Sequence, residues 1–184
     1  MKIKQGFSLL EMLVVVLLIG ILAAIAVPQY RKVVLKAHLH KGVSIVASLY
    51  QAEQAYYLNN DRYTMDIDAL DVGLAEDSAC SKWTDPAGTG YDCSWGTLNI
   101  EGEVGNPRVI LFIYPVQNSS IFHSSAIIGY NHYLRDLSAS YGNFKAGKRY
   151  CTGKQGYPHA QQVCENTGGR YIGESSVWKF YEMN

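Results

Sequence analysis

Gly6-Phe-Ser-Leu-Leu-Glu11-Met-Leu-Val-Val-Val-Leu-Leu-Ile-Gly20-Ile-Leu-Ala-Ala-Ile-Ala-Val27 is the stretch on which the reading of this 184-residue chain turns. From Phe7 to Val27 it spans roughly 30 Å as a helix, enough to cross a bilayer core. It is apolar on all sides, so its surroundings must be lipid or other apolar helices. The leader Met1-Lys-Ile-Lys-Gln-Gly6 is short and basic. Lys2 and Lys4 place this end in the cytoplasm by the positive-inside rule, with the rest of the chain outside. Glu11 alone breaks the apolar pattern. A carboxylate within such a segment costs on the order of 3 kcal/mol to insert and asks for a partner, yet no basic side chain lies between Phe7 and Val27. A cut before Phe7 would free an α-amino group able to pair with Glu11 of a neighbouring copy. Alternatively Glu11 complements the positive end of its own helix. Spacing leaves both open.

Basic residues, an apolar run and Ala24-Ile25-Ala26 also fit an ordinary secretory signal. Against this, the run exceeds the usual apolar core of a signal, holds a glutamate and continues as a helical pattern. Sixteen basic and sixteen acidic residues balance, which gives no electrostatic footprint for duplex nucleic acid. Four cysteines, Cys80, Cys93, Cys151 and Cys164, form two equally spaced pairs without C-x-x-C spacing. An even count behind a membrane-targeting segment favours disulfides outside the cytoplasm. Local pairing, Cys80 with Cys93 and Cys151 with Cys164, is the simplest of three connectivities. Fourteen tyrosines suit half-buried strands and a wet surface.

Pro28 interrupts one long helical pattern and predicts a kink. Beyond it Val34, Ala37, Ile45, Leu49, Ala52 and Tyr56 outline an apolar face, with Lys36, Lys41, Gln51 and Glu53 left for the other sides. Lys41 and Gly42 weaken the pattern locally. The helix should end near Asn59-Asn60-Asp61. Tyr63 to Trp95 reads as loop, with Asp85-Pro-Ala-Gly-Thr-Gly90 its clearest turn. Strands are expected over Ser94–Ile100, Arg108–Tyr114, Ile127–Leu134 and Val177–Met183, and one helical turn over His159–Val163. Strands without intervening helices predict an α+β fold, an antiparallel sheet packed on the helix.

No catalytic or metal motif emerges, and no cofactor is expected. His38 and His40 point apart on a helix. His123, His132 and His159 are scattered, and Ser119-Ser120 and Ser124-Ser125 lack a nucleophile elbow. Asp61, Asp66, Asp68 and Asp71 surround a loop, but their spacing is not that of a calcium loop, and solvated charges are the better reading.

Gly6-Phe7-Ser8-Leu9-Leu10-Glu11 followed by an unbroken apolar helix closely resembles the N-terminus of type IV pilins and type II secretion pseudopilins. The resemblance runs through Gly20, Pro28 and Tyr30-Arg31, and again from Ala52-Glu-Gln-Ala-Tyr-Tyr-Leu58 to Tyr63-Thr64, about 70 residues in all. It implies a prepilin leader (1–6) cut by a prepilin peptidase between Gly6 and Phe7, N-methylation of Phe7, and Glu11 as the assembly glutamate. It also implies loss of helicity between Gly20 and Pro28 in a packed filament. Residues 7–29 would be the membrane and assembly helix, and 30–184 the globular domain: helix to 59, connecting loop 60–93, sheet and disulfide-closed region 94–184. The implied partners are other pilin subunits, the peptidase, an inner-membrane assembly platform and, before assembly, membrane lipid. The implied location is a single pass through the inner membrane, then an extracellular pilus or periplasmic pseudopilus.

Overall fold

The computed structural model describes residues 8–73, 80–85, 88–93, 95–101, 107–113, 126–139 and 142–184. Helix α1 runs from Leu9 to Asn60, 52 residues, or about 78 Å. Its helical assignment continues through Gly20 and Pro28. Asp61 ends it in the left-handed conformation (φ 56°), its N–H donating to the Tyr57 carbonyl at 2.8 Å. A 3-10 turn follows at Ile67–Leu70.

Ten strands then appear among the described residues: β1 Cys80–Asp85, β2 Gly88–Cys93, β3 Gly96–Glu101, β4 Arg108–Ile113, β5 Ile128–Tyr133, β6 Leu137–Ala139, β7 Gly142–Phe144, β8 Arg149–Lys154, β9 Arg170–Glu174 and β10 Trp178–Met183. Helix α2, Pro158–Asn166, lies between β8 and β9. Eight strands form one antiparallel sheet in the order β1-β2-β3-β4-β5-β8-β10-β9, and β6 pairs with β7 as a separate hairpin. The chain therefore has the α+β arrangement of one long helix on an antiparallel sheet.

Only the second half of α1 touches the sheet. Leu35, Leu39, Gly42, Val46, Leu49 and Glu53 form its buried stripe, at alternating spacings of four and three. That spacing keeps one face on β4 and its neighbours. Here the face read from sequence needs correction. Ala37 is exposed, Val34, Ile45, Ala52 and Tyr56 are half-buried, and Glu53, assigned to the other sides, is fully buried. Gly42 is a contact rather than a weakness: a Cβ there would come within 2.2 Å of Leu111 Cδ2, so its absence lets the helix settle on β4. Leu98, Ile100, Val109, Leu111, Ile113 and Tyr130 form the core beneath the helix. A second cluster, Tyr133, Phe144, Tyr150 and Phe180, is roofed by residues of the β6–β7 hairpin and by Ile172 and Trp178.

The segment 60–93, expected as loop, instead carries the hairpin β1–β2. Its polar, glycine-rich sequence hides strand character that cross-strand contacts supply. The Trp83 indole lies over Gly90, its register partner, where a Cβ would sit 2.5 Å from the ring. Cys80 and Cys93, also directly opposed, close the hairpin as a disulfide. The second disulfide, Cys151–Cys164, ties β8 to α2. The turn expected at 159–163 is the middle of α2.

Two buried titratable groups face the helix–sheet core. Glu53 Oε2 accepts from the Thr64 N–H at 3.2 Å, while Oε1 meets no partner among the described residues. Burial pushes the carboxyl up to about 7, against the downward pull of that hydrogen bond. His132 stacks on Tyr50 of α1 at 3.6 Å between ring centres, 8° from parallel. Its Nε2–H donates to the Gly147 carbonyl at 3.2 Å, which leaves Nδ1 unprotonated and unpartnered. Burial takes its pKa down to about 4.

These groups bend the stability profile in opposite directions. A carboxyl whose folded pKa lies above its unfolded value favours folding below about 4.5, and this is lost as pH rises through about 7. A histidine with a depressed pKa contributes above about 6.5, and this is lost as pH falls through about 4. Each effect is on the order of 3 kcal/mol, and over much of the same range they offset. Glu53→Gln should leave the stability of residues 30–184 near the parent's at pH 4 and exceed it at pH 8. His132→Phe should do the reverse. Urea midpoints at the two pH values check both, and parallel profiles for parent and variant would remove the assignment.

Candidate functional site

The first half of α1 is a bare rod among the described residues. From Leu9 to Val27 every described residue is exposed, Leu9 at 84% and Leu22 at 67%. None of its most apolar window is buried, although the helix is long and apolar enough to cross a membrane. Gly20 lies on this naked part, where a Cβ would touch nothing within 4 Å. Pro28 follows eight residues later, its missing N–H leaving the Ala24 carbonyl without its usual donor.

Glu11 sits in the first turn. Ser8, extended at φ −73° and ψ 144°, precedes the helix, and its carbonyl accepts from the N–H groups of Glu11 and Met12 at 3.1 and 3.2 Å. The Glu11 carboxylate reaches back so that Oε2 accepts from the Ser8 N–H at 3.4 Å. One orphan donor of the helix start is met in this way, with a negative charge at the positive end of the dipole. A neutral donor at that distance is a weak partner. An ammonium brought within reach would displace it, because a charge-assisted bond is shorter and roughly twice as strong. Gly6 and Phe7, the expected cleavage and methylation positions, lie outside the described residues.

In the globular part the remaining candidates are dispersed. His38 is half-buried and His40 exposed on α1, His159 is exposed on α2, and His123 and the four serines lie outside the described residues. Asp66 and Asp68 are engaged. Lys82 Nζ donates to Asp68 Oδ2 at 2.5 Å and Asp66 Oδ1 at 3.2 Å, and the Tyr91 hydroxyl donates to Asp68 Oδ1 at 2.7 Å. These bonds hold the Asp68 carboxyl below its ordinary range. Asp61 and Asp71 adopt positive φ as the caps of their helices. Among the described residues no group of three or more His, Cys, Asp or Glu could hold a metal. Sequence reasoning missed Glu53; its signal was the position four residues after Leu49, on the buried stripe.

Residues 1–27 match the prokaryotic N-terminal methylation motif. A fimbrial protein of Pseudomonas aeruginosa is 43% identical over 58 residues, 32% of this chain and 38% of the relative. The type IV major pilin protein PilA of Myxococcus xanthus is 37% identical over 61 residues, 33% of this chain and 28% of the relative. The type II secretion system core protein G of Aeromonas hydrophila is 39% identical over 69 residues, 38% and 48%. Over about a third of its length the chain is thus similar to type IV pilins and to a type II secretion core protein. These matches span between 28% and 48% of the relatives' own length. No solved structure matches the chain. Within the described residues the matched motif is 8–27, the exposed rod, so this likeness rests on the part of α1 that the chain itself leaves uncovered.

Proposed function

We propose that the chain is the structural subunit of a type IV pilus-like filament. Cleavage after Gly6 frees the amine of Phe7, which is N-methylated, and the apolar half of α1 moves from lipid into a bundle of copies of itself. The observation that carries this reading is that half of α1, 0% buried in its most apolar window, ends in a carboxylate held by one weak bond. Moving an apolar helix from lipid to a helical bundle is nearly neutral in hydrophobic terms, so packing and the Glu11 pair set the register. Before assembly the subunit crosses the inner membrane once, with an assembly platform and the prepilin peptidase as its partners there. No catalytic step is assigned to the globular part, whose role is to clothe the filament.

The decisive experiment is the N-terminal sequence and mass of the mature protein from membrane and sheared-filament fractions. A start at N-methylated Phe7 in sheared filaments is the expected result. A start at Val27, or an intact Met1, would leave a secreted or singly anchored domain and remove the filament mechanism. A periplasmic pseudopilus is the second reading, supported by the similarity to the secretion system core protein. The pilus reading is supported by the Cys151–Cys164 disulfide, since a disulfide-closed C-terminal region is what the resemblance to type IV pilins implies. Surface filaments in shear separate the two.

A further inference from the structure

From Met12 to Ala52 the chain carries no acidic residue, yet Arg31, Lys32, Lys36 and Lys41 follow the apolar run closely. Lys41 has an engagement of its own, lying 4.8 Å over the Trp95 ring. Arg31 and Lys36 are exposed and Lys32 half-buried, and no ion pair among the described residues involves any of the three. Tyr30 is 71% exposed and Val33 65%. At 100° per residue, Tyr30, Arg31, Lys32 and Lys36 point in directions of about 260°, 0°, 100° and 140° around the axis. They lie about 5 to 14 Å beyond Val27 along it. The first buried residue of α1 is Leu35, so this band sits where the bare rod enters the domain.

We propose that Tyr30, Arg31, Lys32 and Lys36 form a collar that binds the anionic phospholipid headgroups of the outward-facing leaflet. The inference rests on the membrane-held reading of the precursor. The three cations span about 140° of the circumference, with the Tyr30 ring on the far side, and all four stand within one band about as deep as a headgroup layer. The band's position is continuous with the apolar span, at the depth where aromatic side chains settle and cations meet phosphates. Lysine and arginine reach back along the axis, their stems on apolar surface and their heads among the headgroups. The collar holds the globular part down on the bilayer until assembly lifts it away.

The test reconstitutes the full-length chain in phosphatidylcholine vesicles carrying trace spin-labelled phosphatidylglycerol or spin-labelled phosphatidylcholine. The ratio of motionally restricted lipid measures headgroup preference. The parent is expected to favour phosphatidylglycerol by about fivefold at low salt. R31Q/K32Q/K36Q should bring this below about twofold, as should about 0.5 M salt, where screening leaves only a few Å of reach. K2Q/K4Q should retain it. No preference in the parent, an unchanged preference in the triple variant, or its loss in K2Q/K4Q overturns the collar. Self-association in pure phosphatidylcholine that the triple variant abolishes, without any lipid preference, would assign the residues to a second copy and also overturns it. Failure to float with vesicles of either composition would instead sink the membrane-held reading.

Discussion

Glu11→Ala subunits should be cleaved and retained in the membrane while the yield of sheared filaments falls by at least about tenfold, the ratio produced by 1.4 kcal/mol. In the assembled bundle the Phe7 amine of one copy would face the Glu11 carboxylate of another, with no water to replace either. Removing one member of a buried pair costs about 3–5 kcal/mol, because the other is left charged and unpaired. Glu11→Gln tests the charge apart from the shape. It keeps an acceptor for the Ser8 N–H, which Glu11 engages at 3.4 Å, so its helix start should be intact and its filament yield still low. Immunoblots of membrane and sheared fractions, with N-terminal sequencing of the former, give both readouts. Normal yield from either strain would end the pairing mechanism.

The largest loss of fold stability should come from the disulfides. Each closes a loop with a sequence separation of 13, worth about 3 kcal/mol in the chain-entropy model. Replacing all four cysteines by serine should therefore cost about 6 kcal/mol, comparable with the whole stability of an ordinary domain. The two pairs differ in what their loss releases. Cys80 and Cys93 close a hairpin at the end of the sheet, so without them β1 and β2 should fray while the helix–sheet core holds. Cys151 and Cys164 are fully buried in that core and tie α2 to β8. Their loss should lower the urea midpoint of the entire domain. Urea denaturation of residues 30–184, with amide exchange resolved by segment, distinguishes the local from the global effect. Equal protection loss across the sheet in both double variants would refute this division.

The long helix was legible because its signals are local: an apolar run, a breaker cluster at Asn59-Asn60-Asp61, and residues that repeat near the helical period. The face it buries was less so. Glu53 lies on the stripe, but composition argues for solvent, and only the Thr64 N–H eleven residues away shows how the carboxyl is accommodated. Strands rich in branched and aromatic residues, such as Arg108–Ile113, could be read directly. Those of β1, β2, β8 and β9 could not, since glycine, lysine and serine become strand-like through partners distant in sequence. The hairpin β1–β2 needs Trp83 over Gly90, and β8 needs β5 and β10 on either side. The methylation motif over residues 1–27 was legible because it is carried by contiguous sequence and needs no partner distant in the chain.

The 52-residue continuity of α1 also makes it a mechanical element. No loop separates the domain from the apolar rod, so a tensile load on the sheet passes along one backbone hydrogen-bond ladder. That ladder lacks a rung where Pro28 cannot donate. The helix is therefore most extensible just below the domain, and under sustained pull it should lengthen there first while the packed face on β4 stays seated. A helix built this way has one soft turn, set below the face that packs on the sheet.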